Sequence, residues 1–230
     1  MRRLGLIGGM TWHSTVDYYR LINEGVHARL GGAHSADLLL LSVDFGPVED
    51  MQGRGDWVAL GRLMAGAARS LETAGAKALV ICANTMHRLA DDIAGAVKIP
   101  LIHIGDTTAA EVKKQGFRTI GLLGTRYTME LDFYRGRLEK KHGLNILVPD
   151  ESGRTTIHDV IYHELAHGLV REESRRAYVS VIEDLVGRGA EGVILGCTEI
   201  PLLIKAKDSP VPVFDTTALH AAAAVEFALS

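Results

Sequence analysis

Residues 74–85 read AGAKALVICANT, and residues 188–199 read RGAEGVILGCTE. Each places a short apolar run, Ala78–Cys82 or Gly192–Leu195, before polar residues that open a helix. The two stretches lie 114 positions apart. Other pairs keep nearly the same spacing. LGLIGG at 4–9 matches IGLLGT at 120–125, offset 116, and DYYR from Asp17 matches DFYR from Asp132, offset 115. DTTA recurs at Asp106 and Asp215, offset 109. Four matches in one order at nearly one offset imply two similar units of about 115 residues each.

The rest of the chain repeats the same alternation. Strands are expected at Leu4–Ile7, Asp37–Val43, Leu101–Ile104, Thr119–Leu123, Asn145–Val148 and Val213–Phe214. Helices are expected from Thr11, over Trp57–Thr73, Thr85–Ala94, Thr107–Lys114, Tyr127–His142, Thr156–Leu169, Glu172–Val186 and Thr217–Ala228. Asp37–Val43 is nearly all apolar, as a strand covered on both faces is. Short connections between strand and helix predict an α/β fold of two pseudo-symmetric domains, each a parallel sheet flanked by helices. The expected limits are 1–98 plus 210–230 for the first domain and 99–209 for the second. Open α/β sheets bind ligands at the carboxyl ends of their strands, so the active site is expected in the cleft where two such edges face each other.

Composition narrows the function classes. The 230 residues are 47% hydrophobic and 23% charged, which is ordinary globular usage. A net charge of −3 gives no electrostatic case for nucleic acid or an anionic membrane. The run after Arg2 and Arg3 is too short for a secretory core, and no stretch reaches a membrane span, so the cytoplasm is the expected location. Two cysteines, Cys82 and Cys197, make neither a disulfide framework nor a four-cysteine zinc site.

The internal alignment pairs Cys197 with Ala83, and Cys82 with Gly196. Side chains alternate along a strand, so Cys82 is expected on a different face from Ala83. A thiol at a helix start is favoured as thiolate, because backbone N–H groups stabilise negative charge there. The same N–H groups hold a carboxylate. Asn84, Thr85, Thr198 and Glu199 follow at the two helix starts, either as N-caps or as ligand contacts. A lone cysteine in such a core is equally read as buried filler.

At these residues the sequence resembles the aspartate/glutamate racemase family. The matching pieces are GLIGGMTWHST with YYR after it, CANTMH at 82–87, LGTRYTM at 123–129 and GCTEIPLL at 196–203, which span nearly the whole chain in family order. The resemblance implies cofactor-independent racemisation of aspartate or glutamate, with no pyridoxal phosphate and no metal. It implies two acid/base residues that work on opposite faces of the α-carbon, at the positions of Ala83 and Cys197. Inversion needs a proton removed from one face and delivered to the other. The family motif at the first position is Cys-Asn-Thr, or Thr-Asn-Thr in some members; here it reads Ala83-Asn84-Thr85, and alanine neither gives nor takes a proton. The resemblance further implies substrate contacts at Met10, Gln52, Arg54, Asn84, Thr85, Thr125, Thr198 and Glu199. Gln52 and Arg54 are read in the loop after the second strand, with Arg54 on the side-chain carboxylate. Glu199 is a candidate for the ammonium, and His167 a second candidate for the carboxylate. A homodimer is the family-based expectation. Three readings stay open: a racemase of reduced or one-sided activity, a non-catalytic amino-acid-binding protein, and a single-cysteine decarboxylase or isomerase of the same superfamily.

Two other motifs compete. His163-Glu164-Leu165-Ala166-His167 is a literal H-E-x-x-H on a stretch of helical spacing, which opens a zinc-hydrolase reading. Gly5–Gly9 lacks the spacing of a dinucleotide loop and is read as glycines that let backbone N–H groups approach a small anion. His87 is either a packed histidine or a site residue.

Overall fold

The apolar run Leu4–Gly8 forms strand β1, whose side chains alternate between two buried faces. It pairs in parallel with β2 (Leu38–Ser42) and β3 (Ala78–Ile81), and β3 pairs with β4 (Leu101–Ile102). The order is β2-β1-β3-β4. The computed structural model describes residues 1–230. Helix α1 (Trp12–Leu30) buries Thr15, Tyr18, Ile22 and Val26, spaced three and four apart. Tyr18, Ile22 and Val26 pack with Leu4, Leu6, Ala78, Val80 and Cys82. On the other face, α2 (Phe45–Gly53) and α3 (Trp57–Thr73) bring Val48, Leu60, Met64 and Leu71 against Ile7, Leu79, Ile81 and Ala83. Each fully buried aliphatic side chain of this kind contributes about 1.5–3 kcal/mol.

A second sheet repeats the plan. β5 (Thr119–Gly124), β6 (Asn145–Leu147), β7 (Gly192–Gly196) and β8 (Val213–Asp215) are all parallel, in the order β6-β5-β7-β8. The intervening helices are α4 (Ala90–Ala96), α5 (Ile104–Lys114), α6 (Arg126–Glu130), α7 (Arg135–His142), α8 (Glu151–His163), α9 (Glu172–Gly187), α10 (Ile200–Leu203) and α11 (Thr216–Leu229). Tyr178 of α9 is fully buried and donates its hydroxyl to the Ile157 carbonyl of α8 at 2.9 Å.

The chain divides into two compact units: Met1–Ile104 with His220–Ser230, and Gly105–Leu219. The expected limits differ from these at both crossings. They assign β4 and β8 to the wrong sheets, because each of these short strands pairs with the preceding long one, β3 or β7, rather than starting a new unit.

Several expected elements change. β2 is an edge strand with Leu40 exposed, since only β1 flanks it. The stretch after β2 is helix α2, not a loop. Asp44 caps it, accepting from the Gly46 N–H at 3.3 Å, and Pro47 sits in its first turn, where proline is tolerated. Thr85–Ala94 divides into a 3-10 turn, Thr85–Leu89, and α4. Tyr127–His142 divides into α6 and α7 because Leu131 turns extended, though no glycine or proline lies between them. α8 starts earlier than expected, where Asp150 accepts from the Gly153 N–H at 2.7 Å, and it stops at His163.

Candidate active site

In the second unit the carboxyl ends of β5 and β7 run side by side, with Gly124 paired to Gly196. The backbones pass so closely that a Cβ at Gly196 would stand 2.7 Å from the Leu123 carbonyl oxygen. Thr125 and Cys197 follow these paired glycines directly. Cys197 is buried, with 7% of its surface exposed. Its Sγ donates to Glu199 Oε2 at 3.0 Å, and Thr198 Oγ1 donates to the same oxygen at 2.8 Å. A carboxylate thus takes both hydrogens and faces the sulfur.

This overturns the expectation of a thiolate. Burial pushes the Cys197 thiol well above its ordinary range, and the Glu199 charge and hydrogen bond push it further. The backbone N–H groups of Thr198 and Glu199 act in the opposite direction and lose. The helix expected to supply a dipole is α10, a single turn of four residues that starts three positions on. Burial pushes the Tyr178 phenol well above its ordinary range, and the charges of Cys197 and Glu164 act in the same direction. Glu199 does not cap α10. Thr125 does cap α6, accepting from the Thr128 N–H at 3.4 Å.

In the first unit the corresponding edge carries Met10 after β1 and Ala83 after β3. Gly9 turns the chain between β1 and Met10 at φ +96°, where a Cβ would collide with the Val43 carbonyl. Met10 and Ala83 are buried in the cluster on the α3 face, whereas Cys82 belongs to the cluster on the α1 face. The expected alternation holds here: Cys82 is sealed in the opposite layer, and burial raises its thiol pKa. Asn84 is buried and makes no capping hydrogen bond; Thr85 beside it is half-buried. Gln52 lies in the last turn of α2, not in a loop, and its Oε1 is buried without a hydrogen-bond partner. Arg54 is the exposed C-cap of that helix.

The H-E-x-x-H stretch does not form one helix face. The backbone breaks at Glu164, which puts His163 at the end of α8 and His167 in the 3-10 turn Leu165–His167, both exposed. The Glu164 carboxylate accepts from Ser174 Oγ at 2.6 Å and faces Arg171 at 3.7 Å. No group of three His, Cys, Asp or Glu side chains is placed to hold a metal. His167 lies between α8 and α9, off any strand end, although its turn packs against α10.

Two features go beyond the sequence reading, which singles out His87 but not its neighbours. Thr217, just after β8, buries an Oγ1 that has no partner. Its signal was the repeated DTTA. The other is a group of buried histidines in the first unit, His87, His103 and His220. Their contacts join residues far apart in the chain, so no local pattern announces them.

No helix of the protein is long and apolar enough to cross a membrane. Among solved structures, the chain is similar over 100% of both lengths to a candidate Asp/Glu racemase from Yersinia pestis, with 54% identity and a TM-score of 0.94. It is similar over 100% of both lengths to an aspartate racemase homologue from Pyrococcus horikoshii, with 35% identity and a TM-score of 0.86. A glutamate racemase from Synechococcus is 29% identical over 127 residues, which are 55% of this chain and 45% of that protein. The chain therefore matches less than half the length of that curated relative. The family model for Asp/Glu/hydantoin racemases matches residues 7–224, which takes in both sheets from the end of β1 onward, with the Ala83 turn and the Cys197 turn. With that span matched, the chain belongs to the Asp/Glu/hydantoin racemase family.

Proposed function

We propose that this protein exchanges the α-proton of an acidic amino acid, aspartate or glutamate, through Cys197, and racemises it slowly because only one face of the α-carbon meets a titratable side chain. The observation that carries this reading is the Cys197–Glu199 pair at 3.0 Å. A thiol that rests protonated needs a base before it can act as one, and Glu199 is in contact to serve. The thiol proton passes to the Glu199 carboxylate, the thiolate sulfur takes the α-proton, and a proton returned from the same sulfur restores the starting enantiomer. Inversion needs a proton on the opposite face. Ala83, the repeat partner of Cys197, has none to give, so water must supply it. Asn84, Thr85 and Thr198 are proposed to hold the α-carboxylate, Gln52 and Arg54 the side-chain carboxylate, and Met10 and Thr125 to line the site. His167, in the turn between α8 and α9 and away from any strand end, is left out of the proposed contacts.

The test is α-proton exchange in deuterated water, followed by NMR for each enantiomer. The enantiomer whose α-proton faces Cys197 exchanges far faster than its mirror image, and C197S abolishes the exchange while C82S leaves it unchanged. Equal exchange of both enantiomers sinks the one-thiol account.

Ala83 supports a second reading, an amino-acid-binding protein on a racemase scaffold. It differs by saturable binding of aspartate or glutamate with no exchange at all. Cytoplasmic location and a homodimer are proposed with either reading, and neither invokes nucleic acid or membrane.

A further inference from the structure

β4 contains two residues, and histidines bond the backbone at and just beyond its carboxyl end. His220 is buried; its Nε2 donates to the Ile102 carbonyl at 2.7 Å, and Tyr18 donates its hydroxyl to His220 Nδ1 at 2.8 Å. Burial pushes the His220 pKa down to about 4, so the ring is neutral. His87 works two residues further on. Its Nδ1 lies 2.8 Å from the Ala83 carbonyl oxygen, and the Ile104 N–H donates to its Nε2 at 3.2 Å. A carbonyl only accepts and an N–H only donates, so the ring is the neutral Nδ1–H tautomer with both nitrogens engaged on backbone. The His103 ring packs edge-on against it at 4.6 Å.

We infer that His87 is a positioning residue for substrate binding: it clamps the Ala83 carbonyl, and thereby orients the Asn84 N–H for the α-carboxylate. In a planar trans peptide the C=O and the following N–H point in opposite directions. A carbonyl held by the buried ring therefore turns the Asn84 N–H away from that ring. Residue 83 lacks a functional side chain, so its contribution to this turn is the orientation of its backbone. The role rests on the proposed acid-binding function.

Two near-isosteric variants separate the two bonds. H87N keeps a donor near the Nδ1 position, and H87Q keeps an acceptor near Nε2. Titration calorimetry with aspartate and with glutamate should find H87N within about threefold of the parent affinity and H87Q weaker by roughly tenfold or more. The KM for α-proton exchange follows the same order, while kcat changes less. Equal affinities for the two variants, both folded by circular dichroism, overturn the assignment. If the parent neither binds nor exchanges either acid, the proposed function fails instead, and the clamp is then read in the ligand-free protein. There the ring nitrogen shifts must report an Nδ1–H His87, and H87Q must move the Asn84 amide resonance where H87N does not. An Nε2–H ring, or an Asn84 resonance unmoved by H87Q, overturns the clamp.

Discussion

Glu199 has two opposed effects on the one thiol it touches. Its charge and hydrogen bond raise the Cys197 pKa beyond what burial does, and its carboxylate is the acceptor that deprotonation needs. Glu199→Gln separates the two. Without the charge the thiol pKa falls, though burial, the larger cause, keeps it above the ordinary cysteine range. Alkylation of Cys197 by iodoacetamide should then begin at lower pH than in the parent. Proton exchange moves the other way and drops by about 10²–10⁴-fold, the usual contribution of a lost acid/base group. If alkylation and exchange move together, Glu199 is not the acceptor. At the partner position, Ala83→Cys places a thiol on the α3 face, and it should bring exchange of the slow enantiomer and net inversion towards the rate of the fast one. Cys82 gains no such role in any variant, since it packs in the opposite layer.

Among the elements, the two DTTA stretches show that a repeated sequence takes different local structure in the two units: Asp215 ends β8, whereas Asp106 lies within α5. Asp215 accepts from the N–H groups of Thr217 and Ala218 at the start of α11. Asp106, its counterpart in α5, joins α7 instead. It meets Arg137 through two bonds of 2.7 and 2.8 Å, with Lys141 and His142 alongside. These partners hold its carboxyl far below the usual carboxylate range, against the opposing effect of burial. A carboxylate depressed on folding contributes stability above its unfolded pKa of about 3.9, and loses it as pH falls towards the folded value. Asp106→Asn should therefore cost about 1–3 kcal/mol in urea melts at pH 7. The gap between parent and variant should shrink in melts below about pH 4. DYYR and DFYR differ in the same way. The first lies within α1 and buries Tyr18, while the second falls on the break between α6 and α7 and buries Tyr134. The strands and their parallel class were legible because apolar runs next to turn residues are local signals. The α6–α7 break and the stop at Glu164 were not, because backbone turns without a glycine or proline are set by neighbours in space; α2 was not, because its sequence FGPVEDMQG carries two glycines and a proline.

Across the whole molecule, the first unit is built from both ends of the chain. The Arg2 N–H donates to the Ala228 carbonyl at 2.8 Å, and the Arg2 side chain bonds Ser230. α11 adds Ala221, Ala224, Val225 and Ala228 to the layer that seals Cys82. What this layer needs is the packing of the segment, not its place in the chain order. A circular permutant that joins Ser230 to Met1 by a short Gly/Ser linker, opened at the exposed Gly31–Gly32 turn, should keep the parent circular dichroism spectrum and urea midpoint. Deletion of residues 220–230 should instead expose the α1 layer and make Cys82 reactive to iodoacetamide under conditions where the full chain is inert.

The sequence by itself determined the doubled α/β plan, the pairing of Cys197 with Ala83 and the exclusion of Cys82 from that position. The doubling and the pairing follow from the internal repeat, and the rest from apolar runs and period-two alternation, all of which are read along the chain without contacts in space. Only the tertiary structure decided that Cys197 rests as a thiol on Glu199, that H-E-x-x-H is broken across two elements, and that His87 links the Ala83 turn to Ile104. Protonation state and side-chain partners depend on burial and on groups brought together from distant parts of the chain, and no local pattern encodes them.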